Sequence, residues 1–69
     1  LRVYPNPVKD RLFVEIGQPF RWNICDMLGK QVAAGSSNGE YINVEPLANG
    51  YYILTVRSAQ GAASTPFIK

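Results

Sequence analysis

Tyr51-Tyr52-Ile53-Leu54-Thr55-Val56-Arg57-Ser58 is the stretch that decides the fold. Side chains of an extended chain alternate between two faces, so Tyr52, Leu54 and Val56 share one face and Tyr51, Ile53, Thr55 and Arg57 the other. The first set is wholly apolar and the second is mixed, the signature of a half-buried strand. Ala48-Asn49-Gly50 before it and Gln60-Gly61 after it are turn sequences, so the strand is bounded on both sides.

The same period recurs on either side. Downstream, Ala63 to Lys69 reads as a last strand ending in Pro66-Phe67-Ile68-Lys69. Upstream, Glu40 to Glu45 sets Ile42 and Val44 against Tyr41 and Asn43, and Pro46 stops it. Gly35-Ser36-Ser37-Asn38-Gly39 has the composition of a loop, following a strand from Lys30 to about Ala34. Asp26-Met27-Leu28-Gly29-Lys30 reads as a tight connection: the Asp carboxylate can accept the N–H two residues on, and Gly29 can take a positive φ. Before it, Phe20 or Arg21 to Asp26 turns Trp22 and Ile24 inward, and Arg11 to Ile16 does the same with Leu12, Val14 and Ile16. Leu1 to Tyr4 makes a first strand, broken by Tyr4-Pro5-Asn6-Pro7, where two prolines fix φ and remove two N–H groups.

Short strands at regular spacing, with no amphipathic helix, predict an all-β fold: a small Ig-like antiparallel β-sandwich of six or seven strands. The expected core is Val3, Leu12, Val14, Ile16, Trp22, Ile24, Leu28, Val32, Ile42, Val44, Leu47, Tyr52, Leu54, Val56 and Phe67. The Trp22 indole N–H and the Tyr52 hydroxyl each need a backbone carbonyl or water at the rim.

Composition narrows the function. The chain has 69 residues, enough for one domain with a thin core. It has no His and one Cys, so there is neither an intrachain disulfide nor a zinc ligand set, and no cofactor or metal is expected. Catalysis by Ser or Cys needs a base, usually His, and none is present; no catalytic residue is assigned. Asp10, Glu15, Asp26, Glu40 and Glu45 lie on different elements with no spacing that forces a pair, and a thin sandwich leaves little room for a cavity of several hundred Å3. The seven Lys and Arg residues are scattered singly against five Asp and Glu, which excludes a nucleic-acid footprint, and no apolar run is long enough to span a bilayer. Cys25 is either a reactive or cross-linking thiol or a small strand filler. Tyr41 and Tyr51 are either a platform for sugar rings or strand formers that pack across neighbours, the second being favoured. The chain opens on Leu1 rather than Met, so residues 1–69 are expected to be one domain cut from a longer protein.

Five fragments in order carry a resemblance: Tyr4-Pro5-Asn6-Pro7; Asp10-x-Leu12; Asp26-x-x-Gly29-Lys30; Leu47-x-x-Gly50-x-Tyr52-x-Leu54-x-Val56; and Phe67-Ile68-Lys69. Together they span nearly the whole chain, which resembles the C-terminal sorting domain of the type IX secretion system. The resemblance implies an address label rather than an activity. A cargo domain would lie N-terminal to Leu1, the outer-membrane translocon would recognise the label, and a cell-surface sortase would cut upstream of Leu1. Localisation would be secreted or cell-surface in a Gram-negative bacterium, by way of the periplasm. Carried over by position, the recognition residues would be Asp26, Gly29, Lys30, Gly50, Tyr52, Pro66, Phe67, Ile68 and Lys69.

Within that set the terminal segment is read as the recognition surface: a short last strand adds little stability but offers an edge that can pair with a receptor. Removing Phe67 to Lys69 is therefore expected to stop export while the rest still folds. The alternative function is a permanent Ig- or fibronectin-like accessory or carbohydrate-binding module of a secreted enzyme, with Tyr41 and Tyr51 on glycan. Exposed edges, with Phe13, Tyr51 and Ile53 outward, also leave a homodimer by edge-strand pairing open.

Overall fold

The computed structural model describes residues 2–37 and 41–69. The described residues form seven strands: β1 (Val3–Tyr4), β2 (Arg11–Val14), β3 (Phe20–Asp26), β4 (Gln31–Ser37), β5 (Tyr41–Asn43), β6 (Tyr51–Ser58) and β7 (Gly61–Ile68). They make two antiparallel sheets, one ordered β1-β2-β5 and the other β4-β3-β6-β7. This is the expected all-β sandwich. Strand β6 runs over the span its alternation predicts and lies in the interior of the larger sheet, where both neighbours hold its register.

The core fills the space between the sheets with Val8, Leu12, Val14, Phe20, Ile24, Ile42, Val44, Tyr52, Leu54, Val56 and Phe67. Val3, Ile16, Trp22 and Leu47, expected inside, are only partly buried and pack against this cluster. Two expected core residues are not inside. Leu28 is 94% exposed because it sits at the tip of the β3–β4 turn, where strand alternation does not apply. Val32 is exposed because the β3–β4 register passes from Ile24↔Ala33 to Cys25↔Gln31, a bulge that leaves Val32 without an opposite residue and turns Ala33 inward instead.

Two buried residues were absent from the expected core. Phe20 has the parity of Trp22 and Ile24, so the period already carries it. Val8 lies between strands, where no period applies, and is drawn in by its N–H bond to the Ile68 carbonyl (2.8 Å).

Element boundaries shift in understandable ways. Gly35, Ser36 and Ser37 belong to β4 rather than to a loop: they pair with Trp22, Arg21 and Phe20, and pairing with a neighbouring strand overrides their turn propensity. Gly35 is also the residue over which the Trp22 indole lies; an added Cβ would stand 2.8 Å from Cζ2 of the ring. The indole N–H meets no protein acceptor among the described residues, whereas the Tyr52 hydroxyl donates to the Ala48 carbonyl at 2.6 Å, as a rim position requires. Strand β2 ends at Val14, and the Ile16 N–H turns back to the Val14 carbonyl at 3.1 Å. Strand β7 starts at Gly61, so β6 and β7 form a hairpin paired from Ser58↔Gly61 to Tyr51↔Ile68. The expected positions at Leu1 and at the Asn38, Gly39 and Glu40 segment lie outside the described residues.

Candidate recognition site

The fragments that stand apart in the sequence meet at one end of the four-stranded sheet. Register places Asp26 opposite Tyr52 and Tyr52 opposite Phe67, so three of the proposed residues form a row across β3, β6 and β7. One step further on, Tyr51 faces Ile68, and Gly50 and Lys69 exchange both backbone bonds, at 2.9 and 2.8 Å. The Pro5-Asn6-Pro7 segment reaches the same place: Oδ1 of Asn6 accepts the Ile68 N–H at 2.9 Å. Both of its Xaa-Pro bonds are cis.

Each local structure has a chemical cause. The Asp26 carboxylate accepts the N–H of Leu28 (2.9 Å) and of Lys30 (3.0 Å), while the Asp26 carbonyl accepts from Gly29 N–H (3.0 Å). Gly29 has φ 84°, the left-handed conformation that a side chain disfavours. The result is a turn rigidified from within. Its two intervening residues, Met27 and Leu28, are 65% and 94% exposed. Tyr52 and Phe67 stack with ring centres 5.6 Å apart, and both are buried. Lys69 folds its ammonium back onto the 44–47 turn, donating to the carbonyls of Glu45 (2.8 Å) and Leu47.

All nine expected recognition residues are thus near this end, but they divide in three. Tyr52 and Phe67 face the core, Asp26, Gly29, Gly50 and Lys69 hold turns and backbone closures, and Lys30, Pro66 and Ile68 are exposed. The expectation that the last segment adds little stability does not hold: β7 is eight residues long, Phe67 is 1% exposed, and Ile68 is bonded by Asn6 and Val8 on the edge away from β6. The expected recognition set does not include the exposed apolar side chains around the motif, Met27, Leu28, Tyr51 and Ile53, although Tyr51 and Ile53 take the outward positions expected of them. Their signal was the spacing: the two unspecified positions of Asp-x-x-Gly-Lys fall at a capped tip, and residues next to Tyr52 and Leu54 take the opposite face.

The residues match the family model described as a secretion system C-terminal sorting domain over residues 2–69. The chain belongs to that family. Comparison with curated proteins and with solved structures gives no significant match. Membership makes this sorting domain a type IX secretion signal, which is not itself catalytic, and it implies passage across the outer membrane of a Gram-negative bacterium to the surface or beyond. No helix among the described residues is long and apolar enough to cross a membrane.

The remaining candidates are placed elsewhere. Tyr41 and Tyr51 lie on opposite outer faces, one on each sheet, so they cannot share a glycan. Tyr41 instead packs across strands, 5.9 Å from the Phe13 ring and with the Arg11 guanidinium 5.0 Å over its face; Tyr4 stacks on Phe13 from the other side at 5.6 Å. Tyr4 and Phe13 lie nearly parallel while Phe13 and Tyr41 are tilted by 56°, so the three rings do not make one flat platform. Cys25 is half-buried beside Ile53 on the outer face of the larger sheet. Asp10 and Glu45 line one small cleft of about 160 Å3 together with Arg11. Grooves of several hundred Å3 do occur, contrary to expectation, because they lie open between outward side chains rather than inside the thin core.

Proposed function

We propose that the outer-membrane translocon of the type IX system reads this domain at the end where the motif fragments meet, and that a surface sortase then removes it by cutting upstream of Leu1, freeing a cargo domain that precedes it. The single observation that supports this reading is the convergence of Asp26–Lys30, Gly50–Tyr52, Phe67–Lys69 and Asn6 on one end of a sheet. In this reading the buried and capped motif residues build the end, and its exposed side chains, Met27, Leu28, Lys30, Tyr51, Ile53 and Ile68, make the contact. An exposed apolar cluster rimmed by a cation is the kind of surface that partners bury.

The test is a reporter carrying an ordinary signal peptide at its front and residues 1–69 at its end, expressed in a bacterium with a functioning type IX system. The reporter is expected outside the cell without the domain attached. Met27→Gln/Leu28→Gln, which leaves the core untouched, is expected to hold the reporter in the periplasm with the thermal unfolding of the domain unchanged. Unaltered export of that variant would move recognition away from this end, and retention of the unmodified fusion in the periplasm would remove the reading altogether.

A further inference from the structure

The two edges of the four-stranded sheet are unequally protected. Backbone N–H and C=O groups of a strand point alternately to its two neighbours, so one known bonded pair fixes the rest. Gly50 bonds Lys69, which turns residues 62, 64, 66 and 68 of β7 away from β6. Along that edge Pro66 has no N–H to offer and Ile68 is bonded by Asn6 and Val8, so the motif end of β7 is closed. The same alternation carried through β3, with Asp26 N–H bonding the Lys30 carbonyl, turns the N–H and C=O of Ala34 and Ser36 outward from β4. Among the described residues they have no partner, and β4 carries no proline, charge or bulky side chain over this stretch.

A second observation concerns the neighbouring strands. Arg21 and Arg57 stand directly opposite each other on β3 and β6, both exposed, and neither is ion-paired among the described residues. Like charges in that position repel. Beside them a groove of about 440 Å3 runs toward β4, its lining including Arg21, Asn23, Gln31, Ala34, Ser36 and Arg57, with no acidic residue among the described ones. The groove exists because β4 is small: Ala34 and Ser36 leave the guanidinium groups open from the β4 side.

We propose that β4 takes up an extended acidic segment of another protein as a fifth strand, its backbone pairing with Ala34 and Ser36 and its alternate carboxylates reaching over those small side chains to Arg21 and Arg57. An added strand would lie two strand spacings, about 9.5 Å, from Arg21 on β3 and three, about 14 Å, from Arg57 on β6, the first well within the combined reach of a glutamate and an arginine and the second at its extended limit. Strand addition supplies affinity through the main chain and charge supplies the choice of partner. A second copy of this chain is a poor occupant, because two-fold pairing of β4 with itself would bring both arginine pairs to one face of a continuous sheet. Arg21 lies five residues from Asp26, about 17 Å along β3, so this surface is separate from the motif end.

The test uses the 69-residue domain labelled with 15N and a nine-residue synthetic peptide alternating Glu with Thr. Saturable amide shifts are expected at Ala34 and Ser36. Affinity is expected to fall at least tenfold for a peptide with Lys in place of Glu, for a peptide N-methylated at the pairing positions, and for Arg21→Gln/Arg57→Gln; it should also weaken as salt is raised. The modified peptides act on the unaltered domain, so the result does not depend on a variant folding. Absence of shifts on β4, equal binding of the Lys peptide, or the same shifts with inorganic phosphate alone would overturn the proposal, the last leaving an ion site only. Concentration-dependent β4 shifts without peptide, matched by a dimer in sedimentation, would assign the edge to a second copy instead.

Discussion

Asp26 illustrates how a short polar side chain can set the form of a surface. One carboxylate oxygen holds two N–H groups of the turn it begins, and among the described residues no other side chain bonds to that turn. Asp26→Ala is expected to destabilise the domain by about 1–2 kcal/mol and loosen the tip, seen as a lower melting temperature with faster amide exchange at Leu28 and Lys30. Tyr52 gives a contrasting case. Its hydroxyl makes one bond, to Ala48, while its ring is held by Phe67. Tyr52→Phe is expected to cost about 1 kcal/mol and leave export intact, because the ring rather than the hydroxyl shapes the end. Loss of export in a folded Tyr52→Phe protein would make the hydroxyl part of the signal. Gly35 sits under the Trp22 ring with no room for a methyl group, so Gly35→Ala is expected to displace the indole, a change that near-ultraviolet dichroism reports.

Among the elements, β7 has nearly its expected span but not its expected role as a strand that adds little stability. Its composition of Ala, Ser and Thr followed by Pro shows weak alternation, and only Phe67 announces a buried side chain. What fixes it lies elsewhere in the chain: the hairpin to β6, the Asn6 carboxamide and the Val8 N–H, none of which local periodicity carries. Deleting Phe67 to Lys69 is accordingly expected to unfold the domain rather than merely silence it, with loss of the β-sheet dichroism signal; a folded deletion product would restore the view of the tail as a separable tag. Strands β3 and β6 were legible because they are flanked on both sides and must alternate cleanly. Strand β4 was not, because a bulge inverts its parity at Val32 and its glycine and serines look like a loop until a partner strand is considered. For the recognition end, the motif residues were legible as positions, but their division into buried, capping and exposed required the register.

At the scale of the whole molecule, stability is the governing quantity. A chain of 69 residues is expected to be stable by only about 3–10 kcal/mol, at about 0.05–0.15 kcal/mol per residue. Truncating one large buried side chain costs about 3–5 kcal/mol. Phe67→Ala is therefore expected to leave a large unfolded fraction at growth temperature, measurable by urea titration, whereas exposed-face changes such as Met27→Gln/Leu28→Gln should leave the midpoint unmoved. The architecture tolerates this narrow margin by placing its apolar residues between two small sheets and its motif at one end, so that folding and display depend on the same few strands.

The bond from Ile68 to Asn6 joins residues 62 apart in the chain. It therefore behaves as a latch between front and back. Tension applied to the front of the chain meets the β1–β2 pairing first, and once that yields it would peel Asn6 and Val8 from Ile68. The motif end of β7 would then stand open along an edge that is otherwise closed. A load on the leading side of the domain is thus converted, mechanically, into exposure of its last strand.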